Sequence, residues 1–551
     1  MYTIGIDFGT LSGRALLVDV KTGAEVATAV YEYPHGVMSE TLTANGQRLP
    51  PEWALQNAAD YLQVLYETVP AVLQQSGVDP AQVVGIGIDF TSSSPMPTLK
   101  DGTPLSFVPE YVNEPHAYVK LWKHHASQPQ ADRINAVAKE RGEYWLARYG
   151  GNYSSEWFFS KLLQILDEAP HIYAATEVFI ESADWIVWQL TGNLVRSVST
   201  AGYKMLVQDG KYPTPEYFAA LHPDFRDVVA TKVHGEFVPL STKAGELQPE
   251  IASKLGLPAG IAVASGNIDA HVAAPAVKAT RAGSMVMIMG TSTCQILSSP
   301  VMDLVEGISG VVDGGVVDGL YGYEAGQPGV GDSFAWFVEN AVPQEYYQAA
   351  ERARLPIQAY LEQEASKQKV GEHGLLALDW WNGNRSTLGD SELSGLLVGM
   401  TLATRAPDIY RALIEATAFG TREIIEAFEK QGVRVTELIA AGGLPDKNAM
   451  LRQIYADVTG RPLRLAGSTQ TPALGAAIHA SVAAGVYADI HEAADALGKL
   501  KEEIIQPIPE NQAVYQALYE EYQRLYNTFG RGAINVMKRL KQLRNQALGL
   551  G

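Results

Sequence analysis

Tyr-Thr-Ile-Gly-Ile-Asp-Phe-Gly-Thr, residues 2–10, is an apolar run that ends in a Gly-Thr turn, and Ser-Met-Val-Met-Ile-Met-Gly-Thr, residues 284–291, repeats that pattern far along the chain. A second β-rich run, residues 14–20, follows the first turn, so the chain is expected to open with a β-hairpin. The recurrence predicts a duplicated architecture with one such turn in each half. This pattern fits a two-lobed ATPase better than a single Rossmann sheet.

The turn of the first hairpin carries two glycines and two hydroxyls, among them Gly9, Thr10 and Ser12. Such a turn can direct successive backbone N–H groups at a phosphate, with the hydroxyls as further donors. Asp7, at the end of the strand, is placed to hold Mg²⁺ through water. An ordinary hairpin with a polar turn explains the same residues equally well. The sequence contains neither a Gly-x4-Gly-Lys-Ser/Thr P-loop nor the protein-kinase motifs.

Residues 266–271, Gly-Asn-Ile-Asp-Ala-His, lie between an apolar run and an alanine- and valine-rich segment, which is a strand–turn–helix pattern. Asp269 then occupies the first helical turn, where the helix N-terminus is expected to keep its carboxylate ionised at neutral pH. An ionised carboxylate in this place can take the proton of an alcohol. The alternative is that Asp269 only caps the helix, because acidic residues are enriched in first turns.

Two polar positions in the first half follow predicted elements. The buried-strand pattern of residues 83–90 is followed by Thr-Ser-Ser-Ser, so Ser92 lies at a carboxyl strand end, where open α/β sheets bind ligands. A loop of ordinary turn formers explains this segment equally well. Lys204 is the single lysine of the short loop 200–204, and on its own it is best explained as a surface charge.

The second half contains a strand–Gly-Gly–helix junction. Residues 438–441 have a strand pattern, Gly442 and Gly443 begin a turn, and a helix is expected from Asn448 onward. Such a junction lets a planar ring lie against the backbone, as adenine requires. Glu324 places a carboxylate between two nearby glycines.

The composition of the 551 residues, 46% hydrophobic and 19% charged, is typical of a globular protein. A formal net charge of −19 argues against nucleic acid as the main partner. The single cysteine, Cys294, excludes an intrachain disulfide and a cysteine-rich zinc site. The first residues have no secretory pattern and no apolar run is long enough to span a membrane, so we expect the cytoplasm by default. Residues 509–550 are expected to be helical.

The chain resembles the FGGY carbohydrate kinases, within the sugar kinase/Hsp70/actin superfamily, over nearly its whole length. The matching segments are residues 5–14, 87–91, 154–157 with Lys161, 200–204, 266–271, 289–292, 322–327, 379–385, 441–448 and 471–477. The resemblance implies an α/β fold of two actin-like (ribonuclease H-like) lobes with a cleft between them. It implies an N-terminal sugar-binding lobe, residues 1–258, and a C-terminal ATP-binding lobe with the helical tail, residues 259–551.

The resemblance also implies roles for individual residues. Asp269 matches the catalytic base, and the sugar-contacting positions are Ser92, Lys204, Asp269 and Glu324. Asp7 and Asp269 match the Mg²⁺ environment. The positions that match the nucleotide site are Gly9, Thr10 and Ser12 in one turn, Gly290 and Thr291 in the other, and Gly442, Gly443 and Asn448 for the adenosine.

Within the family, residues 200–204 and 379–385 resemble members that phosphorylate L-ribulose at its 5-hydroxyl in L-arabinose catabolism. The resemblance implies ATP, Mg²⁺ and a small sugar as ligands, a homodimer, and neither nucleic acid nor membrane as partner. Three alternatives stay open. They are a kinase for another ketose or polyol such as D-ribulose, xylulose or ribitol, an Hsp70-like binding machine, and a sugar-responsive regulator. The last two would need a peptide-binding domain or a basic helix-turn-helix, and neither pattern is evident in the sequence.

Overall fold

The computed structural model describes residues 1–548, which form two lobes, each built on a seven-stranded sheet. The strands are β1 (Tyr2–Phe8), β2 (Ser12–Asp19), β3 (Glu25–Glu32), β4 (Leu55–Gln56), β5 (Val83–Phe90), β6 (Pro95–Thr98), β7 (Val119–Lys120), β8 (Val178–Glu181), β9 (Val195–Ser197), β10 (Glu236–Val238), β11 (Lys243–Glu246), β12 (Ala262–Ala264), β13 (Asn267–Ile268), β14 (Ser284–Met289), β15 (Thr293–Ser299), β16 (Gly310–Asp313), β17 (Tyr321–Gln327), β18 (Leu376–Leu378), β19 (Leu396–Val398), β20 (Glu437–Ala441), β21 (Leu463–Ala466) and β22 (Leu500–Ile505). The α-helices are α1 (Ala58–Ser76), α2 (Gln128–Arg141), α3 (Phe158–Glu168), α4 (Pro170–Ala175), α5 (Ser182–Thr191), α6 (Val198–Lys204), α7 (Pro215–Leu221), α8 (Val228–Lys232), α9 (Pro249–Leu255), α10 (Asp269–Ala276), α11 (Gly331–Ala341), α12 (Gln344–Ala353), α13 (Ile357–Ala365), α14 (Ala406–Lys430), α15 (Gly443–Lys447), α16 (Ala449–Thr459), α17 (Thr471–Ala483), α18 (Ile490–Leu497), α19 (Pro509–Tyr526) and α20 (Val536–Leu548).

The two sheets repeat one strand order. In the first, β3, β2 and β1 form an antiparallel meander, β5 and β12 extend it in parallel, and β11 closes the edge antiparallel. In the second, β17, β15 and β14 form the meander, β20 and β21 are the parallel strands, and β22 closes the edge. The second sheet adds β16, and in the first sheet β13 pairs with the end of β5. The predicted duplication is therefore confirmed at the level of topology.

The sequence patterns locate most elements around the cleft. β1 and β2 form the expected hairpin, and β5 has the predicted bounds. The apolar pattern predicts a helix over residues 53–75, but α1 begins at Ala58. Asn57 caps it by accepting a hydrogen bond from Ala59 N at 3.0 Å, and the two residues before Asn57 pair as β4.

Strand pairing and helix packing in the first lobe involve residues beyond the expected boundary after residue 258. β12 and β13 follow that boundary, yet both pair with β5 and belong to the first sheet. α17, from the second half of the chain, also packs on the first sheet. The carbonyl oxygens of Ala473 and Ala476 lie only 1.8 and 1.9 Å from where a β-carbon would stand on Gly5 and Gly87. Only glycine lets the helix approach the sheet so closely, which is why these strands carry it in their interiors.

The C-terminal tail packs on the second lobe through four tyrosines of α19. They are Tyr515, Tyr519, Tyr522 and Tyr526, and all four are buried. The expected helical tail is confirmed as two helices, α19 and α20, whereas residues 549–550 lie outside the described residues. Within residues 1–548, none of the helices combines the length and the apolar character needed to cross a membrane.

Candidate active site

Three carboxylates meet where strands of the first sheet end. Asp7 on β1 and Asp89 on β5 are paired in register, and Asp269 begins α10 directly after β13, which pairs with the end of β5. These strands are parallel, so their carboxyl ends share one edge of the sheet. We call Asp7, Asp89 and Asp269 the acidic cluster. Asp89 was not among the predicted site residues, although its place at a strand's carboxyl end was the signal that could have identified it.

Burial is the main cause that raises the pKa of each carboxyl in the acidic cluster. Burial, then the charges of Asp7 and Asp269, raises the pKa of Asp89 well above its ordinary value. Burial also raises the pKa of Asp7, against the opposing effect of Arg14, whose Nε lies 3.3 Å from Asp7 Oδ2. Burial and then Asp7 raise the pKa of Asp269 to about 7. The prediction that the helix N-terminus keeps Asp269 fully ionised at neutral pH is therefore wrong, because desolvation and a like charge outweigh the helix.

The acidic cluster fits the Mg²⁺ that the resemblance implies. Asp89 is wholly buried, and within the described part of the chain neither of its oxygens has a hydrogen-bond donor. Asp7 and Asp269 are less deeply buried and stand nearer to solvent. Among residues 1–548, no three acidic, histidine or cysteine side chains are close enough to hold a metal by themselves. Mg²⁺ typically keeps several waters and takes one or two carboxylates together with phosphate oxygens, so two aspartates suffice.

Asp269 is only half engaged in capping its helix. Its Oδ1 accepts a hydrogen bond from Ala270 N at 2.7 Å, whereas Oδ2 accepts none from the residues that the structure describes. The side chain is partly exposed. The capping alternative thus explains one oxygen and leaves the other free to accept a proton from a bound hydroxyl.

Lys204 and Glu324 form an ion pair between the lobes. Lys204 ends α6 in the first lobe, and its Nζ lies 3.2 and 3.4 Å from the two carboxylate oxygens of Glu324 on β17 in the second. Their side chains are 5% and 10% exposed, so the interpretation of Lys204 as a surface charge is wrong. The pair is close enough to Asp269 to affect its pKa, which places it beside the acidic cluster.

His271 and Trp157, which sequence analysis gave no individual role, complete the surroundings of this pair. His271 Nε2 lies 3.0 Å from Glu324 Oε2, and its Nδ1 lies 3.1 Å from Ser199 Oγ. Lys204 Nζ lies 5.3 Å from the centre of the Trp157 ring. Although burial disfavours the charged form, Lys204 and His271 hold the pKa of Glu324 below its ordinary value. We call Lys204, His271 and Glu324 the balanced cluster.

Ser92 lies in the loop 91–94 that follows β5. Its hydroxyl and that of Thr91 are buried, and neither has a hydrogen-bond partner among the described residues. Thr91 N donates to Phe8 O at 3.2 Å, which ties the start of the loop to the end of β1. A buried hydroxyl without a partner is unfavourable unless a ligand supplies one, so this loop suits a hydroxylated ligand.

Each of the two Gly-Thr turns is closed by the same kind of internal backbone hydrogen bond. Gly9 N donates to Ser12 O at 2.9 Å, and Gly290 N donates to Ser292 O at 2.8 Å. Gly290 and Thr291 are exposed, and the first turn is partly so. The matching geometry, one turn per lobe, gives two sites where backbone and hydroxyl donors can face phosphate oxygens.

Thr10 in the first turn is oriented by an aromatic residue that sequence analysis did not assign to the site. Its Oγ1 accepts a hydrogen bond from Trp122 Nε1 at 3.1 Å, which leaves the threonine proton free to donate. Its carbonyl oxygen accepts from Gln56 Nε2 at 2.6 Å. The turn is therefore held from two sides while its hydroxyl proton stays available.

The expected adenosine positions lie next to the second turn. Gly442 has φ of +102°, and a β-carbon there would stand 2.4 Å from Met289 O, so the close approach to β14 requires glycine. Gly443 begins α15, is exposed, and has open space around its α-carbon. Asn448 caps α16, with its Oδ1 accepting from Leu451 N at 2.7 Å. The side-chain oxygen of Asn448 is thus already used within the protein.

The sequence matches two family models in succession. Residues 2–275 match the N-terminal domain of the FGGY family of carbohydrate kinases, and residues 285–484 match its C-terminal domain. The break between the two models falls just after α10, later than the boundary that the sequence suggested.

Full-length relatives and solved structures agree with these matches. The ribulokinase of Mycolicibacterium smegmatis is 54% identical over 547 residues, which cover 99% of this chain and 97% of the relative. The ribulokinase of Anoxybacillus flavithermus is 53% identical over 552 residues, covering 99% and 98%. The xylulose kinase from Rhodospirillum rubrum has a TM-score of 0.77 at 23% identity, covering 96% of this chain and 99% of that one. Plasmodium falciparum glycerol kinase with ADP has a TM-score of 0.75 at 15% identity, covering 97% and 98%. At such identities the solved structures support the fold alone.

Proposed function

The chain belongs to the FGGY family of carbohydrate kinases, and we propose that it transfers the γ-phosphoryl group of ATP to the 5-hydroxyl of L-ribulose, with Asp269 as the general base. Relatives more than half identical over almost the whole chain are named ribulokinases, which supports ribulose as the acceptor. One observation carries the site assignment: among the described residues Asp269 Oδ2 accepts no hydrogen bond, and Lys204 and Glu324 lie close enough to Asp269 to act on its pKa.

The balanced cluster would bind the sugar. A neutral ketose offers hydroxyls that both donate and accept, and Lys204 and Glu324 supply a donor and an acceptor of opposite charge side by side. His271 keeps Glu324 oriented, because its Nε2 donates to the carboxylate. The unpartnered hydroxyl of Ser92 adds a further contact. Together these groups would fix the sugar so that one terminal hydroxyl faces Asp269.

The chemical step would run at the edge of the acidic cluster. Asp269 Oδ2 accepts the proton of the 5-hydroxyl while the sugar oxygen bonds to the γ-phosphorus and the bond from that phosphorus to the β,γ-bridging oxygen breaks, releasing ADP. The Gly9–Thr10 and Gly290–Thr291 turns donate to the phosphate oxygens, and Ser12 adds a hydroxyl. Mg²⁺, held by Asp7 and Asp269 largely through water, would neutralise charge on the phosphates.

The nucleoside would lie on the second lobe. Gly442 and Gly443 present an exposed backbone beside the second phosphate turn, where a planar base can pack without meeting a side chain. Asn448 borders this surface. Because its side-chain oxygen caps α16, its amide nitrogen is the group that would donate a hydrogen bond to the base.

A panel of sugars in a coupled ADP-release assay tests the proposal. We expect the highest kcat/KM with L-ribulose, lower values with D-ribulose, ribitol and xylulose, and a product phosphorylated at the 5-hydroxyl, as shown by ³¹P–¹H NMR coupling. A higher kcat/KM with xylulose or ribitol would identify a different acceptor. ADP release that does not depend on sugar would indicate an ATP-driven machine of another class.

Two further proposals concern the cellular compartment and the oligomeric state. Because the reaction consumes ATP, we place the protein in the cytoplasm, which fractionation of the producing cell can test. The family resemblance favours a homodimer, and light scattering on the purified chain measures the mass directly.

A further inference from the structure

The loop 91–94 is held by a lysine that is completely buried. Lys161, on α3, donates through Nζ to Ser93 O at 2.8 Å, Leu121 O at 2.9 Å and Lys120 O at 3.3 Å. An ammonium group has three protons, so all of its donors are used. Two of the acceptors belong to β7 and the residue after it, which means that Lys161 ties the loop to a strand of the surrounding scaffold.

A buried carboxylate also binds the same loop through hydrogen bonds. Glu181, the last residue of β8, accepts a hydrogen bond from Ser94 N at 2.8 Å with one oxygen and from the Ser93 hydroxyl with the other. Burial raises the pKa of Glu181, and the charges of Lys161 and Lys204 oppose that rise. Glu181 therefore lies within the electrostatic reach of both the loop lysine and the lysine of the balanced cluster.

A second buried lysine shows that this arrangement is specific. Lys120 is 1% exposed, but its Nζ has no hydrogen-bond partner in the described chain and lies 4.2 Å from the centre of the Trp53 ring. Both lysines have their pKa lowered to about 7 by burial. Lys161 alone directs its ammonium at the loop, and that loop carries the unpartnered hydroxyl of Ser92.

We propose that Lys161 and Glu181 are positioning residues that fix the loop 91–94 so that the Ser92 hydroxyl meets the sugar. This inference rests on the proposed function, because it takes the hydroxylated ligand of the loop to be the acceptor sugar. Neither residue touches the phosphate turns, so their effect should fall on sugar binding and leave nucleotide binding unchanged.

Lys161→Met and Lys120→Met form a matched pair for the test. Both remove a buried ammonium and keep a similar volume, but only the first removes hydrogen bonds to the loop. We expect Lys161→Met to raise the KM for L-ribulose about tenfold with kcat and the KM for ATP nearly unchanged, and Lys120→Met to change all three by less than about twofold. Equal effects of the two variants on the sugar KM would overturn the proposal.

A double-mutant cycle covers the case in which Lys161→Met does not fold. Glu181→Gln keeps the shape and one acceptor, and Ser92→Ala removes the hydroxyl that the loop is proposed to present. We expect Ser92→Ala to raise the sugar KM about three- to tenfold in the wild type, and to have almost no effect when Glu181 is already Gln. The same increase in both backgrounds would show that Glu181 does not act through Ser92.

A wrong acceptor sugar and a wrong role for Lys161 and Glu181 give different results. If L-ribulose is not the acceptor, the unmodified protein itself shows this in the sugar panel, and the cycle is then measured with the sugar that it does phosphorylate. If the acceptor is correct but the loop is not positioned by these residues, the unmodified protein is active and the cycle is additive.

Discussion

The acidic cluster and the balanced cluster lie side by side, and they differ in how their buried charge is compensated. In the balanced cluster Lys204 and His271 lower the pKa of Glu324, so its carboxylate is ionised and has positively charged or donor partners before any ligand binds. In the acidic cluster burial raises the pKa of all three carboxyls, and the charge of Asp7 adds to the rise for Asp89 and Asp269. For Asp7 itself, Arg14 and a hydrogen bond with Asp89 oppose the rise. The first arrangement suits a neutral sugar that needs fixed partners. The second suits a step in which positive charge arrives and a proton is transferred.

The largest expected effect comes from the acidic cluster. Asp269→Asn removes the proton acceptor, so kcat should fall about 10²- to 10⁴-fold, while the affinity for ADP in isothermal titration calorimetry stays close to that of the wild type. Asp408→Asn is the control, because Asp408 lies in the first turn of α14, where its Oδ2 accepts from Arg405 N at 2.7 Å and its Oδ1 accepts from the Gln368 side chain. If the two variants lose the same small amount of kcat, Asp269 is a cap and not a base.

The next largest effect is expected from breaking the Lys204–Glu324 ion pair of the balanced cluster. Glu324→Gln leaves the Lys204 ammonium buried without a counter-charge, which typically costs about 3–5 kcal/mol. We therefore expect a clear fall in the thermal midpoint together with a large loss of kcat/KM for the sugar. An unchanged midpoint would mean that the pair is not the compensated unit that its 3.2 Å separation indicates.

Asp89→Asn is the counterpart in the acidic cluster and should act in the opposite direction on stability. The folded-state pKa of Asp89 lies above the unfolded value, so the wild type loses stability as the pH rises between the two, at about 1.4 kcal/mol per pKa unit. The variant escapes this loss. Its unfolding midpoint should exceed that of the wild type at pH 8 and approach it near pH 4, where the buried carboxyl is already neutral. A lower midpoint at pH 8 would contradict the assignment.

The pH dependence of turnover should report Asp269. Only the carboxylate form accepts a proton, and the pKa is raised to about 7, so kcat/KM for the sugar should rise about tenfold per unit of pH below pH 7 and level off above it. Asp7→Asn removes the charge that, after burial, contributes most to the raised pKa of Asp269. In the activity that this variant retains, the rise of kcat/KM with pH should therefore occur at lower pH. A profile that is flat between pH 6 and pH 8 would place the proton acceptor elsewhere.

The sequence predicts what depends on neighbouring residues. The β1–β2 hairpin and β5 follow from local apolar patterns and turn residues, and the structure confirms them. The strand and the helix of the Gly-Gly junction are confirmed as β20 and α16, but the expected turn between them is a short helix, α15. Gly5 and Gly87 let α17 approach the first sheet closely, but α17 lies hundreds of residues away in the sequence and no local pattern identifies it as the partner. The membership of β12 and β13 in the first sheet has the same origin, because both strands join it through a non-local partner, β5.

The charges of the site also depend on residues that are distant in the sequence, so local patterns do not predict them. A local argument correctly places Asp269 at a helix start, yet it gives the wrong protonation, because burial and Asp7 act through the tertiary structure. Lys204 looks like a surface charge until Glu324, on the opposite lobe, comes within 3.2 Å. Only the family resemblance directed attention to that pair, and the contact of His271 with Glu324 needed the structure itself.

The smallest expected effect concerns another charged contact between the lobes. Arg385 Nη2 lies 3.5 Å from Glu156 Oε1, with side chains 36% and 20% exposed, and His125 keeps a second bond to the same carboxylate at 3.0 Å. Arg133 and Asp167 have nearly the same exposure, 36% and 19%, but both lie in the first lobe, which makes Arg133→Gln the matched control. Partly exposed pairs contribute at most about 1 kcal/mol, so Arg385→Gln should raise the sugar KM by no more than about fivefold, and Arg133→Gln should leave it unchanged. A rise of a hundredfold or more would mean that Arg385 contacts the sugar itself, because closing the lobes through one such pair cannot account for that much free energy.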